Sequence, residues 1–319
     1  MRIAILGATS QIAKDLVLSF AANAQHELRL FARRPEVVSA WMADNVLSER
    51  ISVGNFDDFG VHEPFDAILN FVGVGNPAQA VAMGASIFDA TLKYDEMALN
   101  YLSRHPDCRY VFLSSGAAYG SNFEQPVGGD SRAVIAINQL QPQDWYAVAK
   151  LHAECRHRSL AHLPIVDIRV FNYFSHTQDM SARFFITDLL RAIQSGEMLT
   201  TSSDNIVRDY IGQADFYQLV SRILAAPATN EVVDCYTQAP VDKMTLLANM
   251  KEHFGLRYKV NHGPAGVNAT GAKVNYFSNN RRAEVFGFVP SKDSLQTVLD
   301  EASTLKVQMV FFSQHQYPT

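Results

Sequence analysis

An α/β fold with a doubly wound parallel sheet is what this sequence predicts, and three observations predict it. Short apolar runs with little polar alternation recur along the chain; strands of that kind are buried on both faces, as in a parallel sheet. Longer stretches of helical periodicity separate them, in the strand–helix–strand order that such sheets require. The first run ends in a glycine turn leading straight into a helical pattern, the form of a phosphate-binding strand–turn–helix unit. A smaller C-terminal lobe completes the expectation.

The strand candidates are 3–6, 28–31, 51–53, 67–72, 110–113, 165–171 and 232–236, and the helical candidates lie near 11–23, 78–104, 144–162, 181–195, 214–226 and 242–254. Polar and Gly/Pro-rich stretches at 119–143, 172–209 and 255–292 are long for connectors, and long loops in α/β folds usually build the site. The expected organisation is a sheet domain over 1–171, re-entered at about 210–240. A substrate-binding lobe is expected from 172–209 and 237–300, and a tail at 301–319. The Val-Gln-Met-Val-Phe-Phe run at 307–312 would pack on the body or on a partner.

Composition narrows the function classes. Hydrophobic residues form 48% of the 319, enough for a sizeable core, and the formal net charge is −5. Without a basic run, neither nucleic acid nor an anionic membrane is an expected partner. Cys108, Cys155 and Cys235 stand apart with no CxxC spacing, which fits a reducing cytoplasm better than a disulfide framework. The apolar run at 3–6 is too short for a signal-peptide core, and none approaches the ~18 residues of a membrane span. His152, His157 and His162 recur at intervals that walk around a helix, so no metal site is expected.

The cofactor end is read first. Gly7-Ala8-Thr9-Ser10-Gln11-Ile12-Ala13 has the tight bend and the helix start that present backbone N–H groups to a pyrophosphate. Ser10 stands where a second glycine is usual and brings a hydroxyl towards the phosphates; any capped βα turn would look similar. Ala13 is small enough for helix–strand packing. After the second strand, where an acidic residue would take the ribose hydroxyls of NAD, the chain has Phe31-Ala32-Arg33-Arg34. Paired guanidiniums suit a 2′-phosphate. The cofactor expected is therefore NADP (as NADPH) rather than NAD, the plain alternative being two solvated arginines.

At the catalytic end, Tyr146 and Lys150 are spaced i, i+4, which sets both on one helix face. An ammonium and a positive nicotinamide ring beside the phenol favour phenolate, drawing its pKa towards the range useful for proton transfer. Ser114-Ser115 closes the fifth strand at the carboxyl edge of the sheet, where open α/β sheets bind ligands. Ser115 could hydrogen-bond a reacting carbonyl or alkoxide oxygen; its ordinary alternative is a turn or cap serine.

Taken together, 7–13, 114–120, 146–150, 169–175, 208–216 and 279–290 resemble the extended short-chain dehydrogenase/reductase family, in its nucleotide-sugar epimerase/dehydratase/reductase group. The resemblance runs over about 3–300 and implies a Rossmann sheet. It implies roles for matched residues: Ser115 as the catalytic Ser/Thr, Tyr146 as acid/base, and Lys150 as its partner and a holder of the nicotinamide ribose. Gly7, Thr9, Ser10, Gln11, Ile12, Arg33 and Arg34 would bind the rest of the cofactor. Asn55 and Phe56 would border adenine, Phe71, Val72 and Gly73 would line the cofactor, and Phe171 would lie near the nicotinamide. Asn172 and Arg208 would hold the substrate diphosphate beside Ser115. A homodimer is implied as well.

The departures matter. Dehydratases of the family follow the catalytic Thr with Asp-Glu, whereas Gly116-Ala117 stands here, so elimination is disfavoured. The Cys/His pair of the GDP-fucose synthases is not evident. The family's usual Asn before the fifth strand has no clear match around 89–94, and the stretch between Ser115 and Tyr146 is longer than in many members. The leading expectation is an NADPH-dependent reductase of a 4-keto, 6-deoxy nucleotide-diphosphate sugar. The alternative is an NAD-dependent nucleotide-sugar 4-epimerase. A non-catalytic NADP-binding regulatory protein is a third reading, motivated by Ser10.

Overall fold

The computed structural model describes residues 1–319 apart from 24, 48–49, 62–63, 75–79, 81, 262–272 and 315–319, and apart from the side chains of 143 and 306–314. In chain order the strands are β1 (Arg2–Leu6), β2 (Glu27–Phe31), β3 (Ile51–Gly54), β4 (Ala67–Asn70), β5 (Arg109–Ser115), β6 (Ile165–Val170), β7 (Asn172–Tyr173), β8 (Leu199–Ser202), β9 (Val207–Arg208), β10 (Tyr210–Ile211), β11 (Glu231–Asp234), β12 (Val241–Asp242), β13 (Tyr258–Asn261) and β14 (Asn275–Tyr276). The helices are α1 (Gln11–Asn23), α2 (Pro35–Asp44), α3 (Ser86–Leu102), α4 (Pro142–Ser159), α5 (Phe185–Ser195), α6 (Gln213–Ala225), α7 (Lys243–Phe254) and α8 (Ser294–Gln314).

Seven strands form one parallel sheet in the order β11-β6-β5-β4-β1-β2-β3. The order reverses between β1 and β4, the switch point of a doubly wound fold. The continuous apolar runs exist because both faces are covered. In β1, Ile3, Ala4, Ile5 and Leu6 are all buried. Ile3 and Ile5 join Leu16, Val17 and Phe20 of α1 and Phe216, Leu219 and Val220 of α6 on one face. Ala4 and Leu6 join Ala98, Leu99 and Leu102 of α3 on the other.

A separate apolar cluster joins Ile186 and Leu189 of α5, Leu246, Leu247 and Met250 of α7, and Val298, Ala302 and Leu305 of α8. The hydroxyl-rich segment after β6 is tied to α1. Asp15 of α1 accepts hydrogen bonds from Tyr173, Ser175 and Thr177 at 2.7, 2.6 and 2.6 Å.

The strand expectations agree with the observed strands to within two residues at each end. Three helical expectations and the tail change, and the 181–195 candidate is α5, which starts at Phe185. The 78–104 candidate is α3 over 86–102, and its residues 78–79 and 81 lie outside the described residues. The 144–162 candidate ends at Ser159, so His162 lies beyond the helix that carries His152 and His157. The expected tail begins inside α8; residues 315–319 lie outside the described residues. Helix α2 was not anticipated: among its residues only Val38 is buried, so no apolar stripe announced it, although Pro35 stands at its first turn. No helix among the described residues is long and apolar enough to cross a membrane.

Candidate active site

The glycine turn lies at the sheet's switch point. Gly7 has φ +79°, and a Cβ there would come within 2.8 Å of the Val72 amide nitrogen and 2.9 Å of the Phe71 carbonyl carbon. A side chain is thus excluded both by backbone conformation and by the approach of the 71–73 segment. Ser10 caps α1: its Oγ accepts from the Ala13 amide at 3.3 Å. The capping role considered for Ser10 is therefore the one its oxygen takes, and the first-turn amides of Gln11 and Ile12 have no acceptor within the helix. Thr9 is exposed and Ala13 buried. Gln11 reaches sideways, its Nε2 donating to Ser175 Oγ at 2.8 Å.

Arg33 and Arg34 are both exposed at the end of β2, and neither has an ion-pair partner among the described residues. Asn55 uses its side chain to cap a 3-10 turn, accepting from the amides of Asp57 and Asp58 at 2.7 and 3.1 Å. Phe56 stacks at a tilt on Tyr94, 4.4 Å between centroids. Phe71 turns its ring into the core, 6.3 Å from Phe216, so only its backbone faces the glycine turn. Val72 is half-buried and Gly73 exposed.

Ser115 ends β5 in extended conformation, with its Oγ accepting from the Ala117 amide at 3.2 Å. That Oγ lies 3.3 Å from the hydroxyl of Tyr276 and also engages Tyr146. Tyr146 and Lys150 project from one face of α4, as their spacing predicts, with Nζ 5.9 Å from the centre of the Tyr146 ring. Nζ donates to the Leu113 carbonyl at 2.7 Å and sits 4.3 Å from the centre of Phe112. Burial lowers the pKa of Lys150 to about 8, against the opposing fields of Asp95, Glu154 and Asp167. Burial raises that of Tyr146, a hydrogen bond with Ser115 pulling the other way. The protein alone therefore keeps Tyr146 a neutral phenol. A phenolate near neutral pH requires a further positive charge beside it.

One turn along α4, Glu154 anchors the floor of the site. It accepts from Ser114 Oγ at 2.5 Å and from Arg169 Nη2 at 2.5 Å. Arg169 reaches Asp234 at 3.5 Å, and Asp234 accepts from the hydroxyls of Tyr119 and Ser278 at 2.8 and 2.6 Å. A Cβ on Gly116 would lie 2.4 Å from the Phe171 ring, so the position after Ser115 has no room for an acid. Phe171 belongs to an aromatic wall with Tyr119, Phe123 and Tyr276.

Asn172 donates to the Asp209 carbonyl at 3.3 Å. Arg208 donates to the carbonyls of Val207 and Val274 at 2.8 and 3.3 Å, and its guanidinium lies 5.9 Å from the centre of Tyr276. Its neighbour Asp209 is spent on Thr237, whose amide and hydroxyl donate to it at 3.0 and 2.5 Å. Sequence reasoning missed two residues here. Tyr276 brings a hydroxyl to Ser115, and Lys273 sets its ammonium 4.5 Å from the Tyr276 ring centre and 5.2 Å from that of Phe123. Both precede the 279–290 stretch, and only the pairing of β14 with β9 carries them to Arg208.

The sheet order, the glycine turn and the Ser–Tyr–Lys set define an enzyme of the extended short-chain dehydrogenase/reductase type. The chain belongs to the NAD dependent epimerase/dehydratase family, whose sequence model matches residues 3–236. No functionally curated protein matches it by sequence. Among solved structures it is similar to UDP-glucose 4-epimerase of Thermotoga maritima at 16% identity, TM-score 0.79, covering 97% of this chain and 100% of that one. It is similar to UDP-N-acetylglucosamine 4-epimerase of Methanobrevibacter ruminantium M1 at 16% identity, TM-score 0.78, covering 96% and 98%. UDP-glucuronic acid 4-epimerase of Bacillus cereus, in complex with UDP-glucuronic acid and NAD, follows at 14% identity and TM-score 0.77, covering 97% and 100%.

Proposed function

We propose that the chain interconverts the C4 epimers of a nucleotide-diphosphate sugar by reversible hydride transfer. The observation that carries this reading is the Ser115 hydroxyl at the end of β5, met by Tyr146 and Tyr276 with the Lys150 ammonium buried behind. The family description supports it, as does Gly116, where Phe171 leaves no space for the acid an elimination would need. The three solved structures named above are of 4-epimerases.

A nicotinamide dinucleotide fits the residues present, and when bound it supplies the hydride acceptor and a positive ring beside Tyr146. The amides of Gln11 and Ile12, with Thr9 and Ser10 in the same turn, would receive its pyrophosphate. Asn55, Phe56 and the 71–73 backbone would border it, and Phe171 would lie near its reactive end. Tyr146 takes the proton from the sugar C4 hydroxyl and later returns one to the same oxygen. Ser115 donates a hydrogen bond to that oxygen while it carries negative charge. Lys150 supports the phenolate, and Arg208 with Asn172 anchors the diphosphate. For an epimerase the keto sugar must turn over between the two transfers, within a lobe drawn from 172–209 and 237–300. A homodimer in the cytoplasm accompanies this reading, from the resemblance and the three free cysteines.

A second reading, reduction of a 4-keto-6-deoxy nucleotide sugar by NADPH, is favoured by Arg33 and Arg34, exposed where NAD sites carry an acid. The test presents UDP-, GDP- and dTDP-linked hexoses without added reductant, and 4-keto-6-deoxy sugars with NADPH or NADH. C4 interconversion with no net change in cofactor absorbance, lost by about 10²–10⁴-fold in Tyr146→Phe, is the expected result. Stoichiometric loss of NADPH would transfer the case to the reductase, and activity on neither to a non-catalytic dinucleotide-binding protein.

A further inference from the structure

Behind the site, on α4, His157 has no part in the chemistry above, yet it is fully buried at 0% exposure. Its Nδ1 lies 2.6 Å from Asp167 Oδ1 on β6, and its Nε2 lies 2.7 Å from Asp95 Oδ1 on α3. Ionised carboxylates only accept hydrogen bonds, so both ring nitrogens donate and the ring is an imidazolium. Arg156 reaches Asp95 Oδ2 at 3.3 Å and Arg158 reaches Asp167 Oδ2 at 2.9 Å from the same helix. Tyr110 on β5 donates to Asp95 Oδ1 at 2.9 Å. Lys150 faces the cluster across Phe112, whose ring has His157 edge-on at 5.2 Å and the ammonium at 4.3 Å.

The cluster does not close on itself. Tyr110 spends its one proton on Asp95, so its oxygen can only accept, and Asn70 Nδ2 donates to it at 2.8 Å. That fixes the Asn70 amide with its oxygen turned the other way, where it accepts from the Val72 amide at 2.9 Å. Val72 sits in the segment that abuts Gly7 on one side, and the adjoining Gly73 faces Lys150, where a Cβ would lie 3.5 Å from Nζ. The polarity of the chain is fixed at both ends, by the Val72 amide, which can only donate, and by Asp95, which accepts from Tyr110, His157 and Arg156.

We propose that His157 is a positioning residue: as a lasting imidazolium it anchors the Asp95 carboxylate, and through Tyr110 and Asn70 holds the 71–73 segment in its cofactor-lining position. The inference rests on the reading of 71–73 as cofactor-lining, and the experiment separates the two. In full-length protein with 15N-labelled histidine, His157 carries protons on both ring nitrogens at neutral pH; a single protonated nitrogen overturns the proposal. Tyr110→Phe cuts the relay without changing charge or removing the ring. Hydrogen exchange at the Val72 amide becomes about 5–20-fold faster, the scale of one hydrogen bond, while that of Leu69, three residues earlier in β4, stays the same. Dinucleotide affinity falls about 3–10-fold on the same scale. Unchanged Val72 exchange, or equal acceleration at Leu69, overturns the relay. If the unaltered protein binds dinucleotide normally and Tyr110→Phe does not weaken it, the positioning role alone fails. If the unaltered protein binds none, the functional reading fails and the positioning role with it.

Discussion

Two groups of charge, one fully buried and one half-buried, are built on opposite terms. On the cofactor side, the His157 imidazolium has a carboxylate at each nitrogen, 2.6 and 2.7 Å away. On the substrate side, the cations of Arg208 and Lys273 approach one tyrosine ring, at 5.9 and 4.5 Å. Among the described residues neither has a carboxylate within ion-pairing distance; Arg208 donates to backbone carbonyls only. Burial lowers the pKa of both, and for Lys273 the repulsion from Arg208 adds to it. A buried charge with matched partners secures the fold. A pair of like charges left without them raises the free energy of the empty site, and an anionic ligand recovers it. In the proposed reading the contrast separates a structural cluster from a binding site by how its charges are compensated.

The largest expected effect falls on the compensated side. His157→Gln removes the cation between two buried carboxylates, leaving each with one part-exposed arginine, and lowers stability by about 3–5 kcal/mol, read as a drop in the thermal or denaturant midpoint. The pH dependence carries a sign. Asp167 and Asp95 raise the His157 pKa to about 9 against the opposing cost of burial. An unfolded histidine titrates near 6.5. The folded state binds this proton more tightly, so the stabilisation is complete below about pH 6.5 and is lost as pH rises through about 9. The unaltered protein should lose stability over that window, and His157→Gln should show a flatter profile there. A flat profile in both would break the contrast on this side.

The second effect belongs to the uncompensated side. Arg208→Ala removes a cation that the fold does not neutralise, so stability should stay level or rise. Affinity for the nucleotide sugar should fall by about 10–150-fold, the scale of charge-assisted hydrogen bonds, as measured by calorimetric titration. A large loss of stability with little loss of affinity would make Arg208 a structural residue and erase the distinction.

How much of this was legible in the sequence depends on how local each feature is. The seven sheet strands announced themselves because continuous apolar runs are what burial on both faces demands. Ser115, Tyr146 and Lys150 were legible because one strand end and one helix face carry them. Helix α2 was silent because it buries Val38 alone. The substrate side of the proposed reading was silent for a topological reason: Tyr276 reaches Ser115, and Lys273 the Tyr276 ring, from a strand that pairs with β9, and a pairing between segments so distant leaves no periodic signal. His157 was noticed as one of three spaced histidines and set aside as a metal ligand. Nothing in its spacing pointed to Asp95 and Asp167, which arrive from a different helix and a strand. Of the carboxylates that raise the pKa of Lys150 against burial, Asp95 raises it most.

The smallest expected effect sharpens the substrate side most finely. Desolvation, with the nearby Arg208 charge, lowers the Lys273 pKa to about 8, and Asp144 only partly opposes this. In the proposed reading an anionic substrate would sit beside this ammonium and favour its charged form, so the bound-state pKa lies above the free-state value. Binding then takes up a proton when the free enzyme has lost one. Affinity is full below about pH 8 and weakens as pH rises through it, by about 3–10-fold between pH 7 and 9, the scale of one hydrogen bond. Lys150 has its own pKa lowered to about 8, so the profile of the unaltered protein mixes two groups. Lys273→Gln separates them: it keeps a polar side chain, one atom shorter, removes the charge and its titration, and leaves Lys150 in place. Substrate affinity measured at saturating dinucleotide should then flatten across pH 7–9 in Lys273→Gln, with its pH 7 value reduced to about the level the unaltered protein shows at pH 9. A profile in the variant that still falls through pH 8 by the same factor would assign the titration to Lys150. Lys273 would then be a bystander on the aromatic wall, and the uncompensated pair would shrink to Arg208 alone.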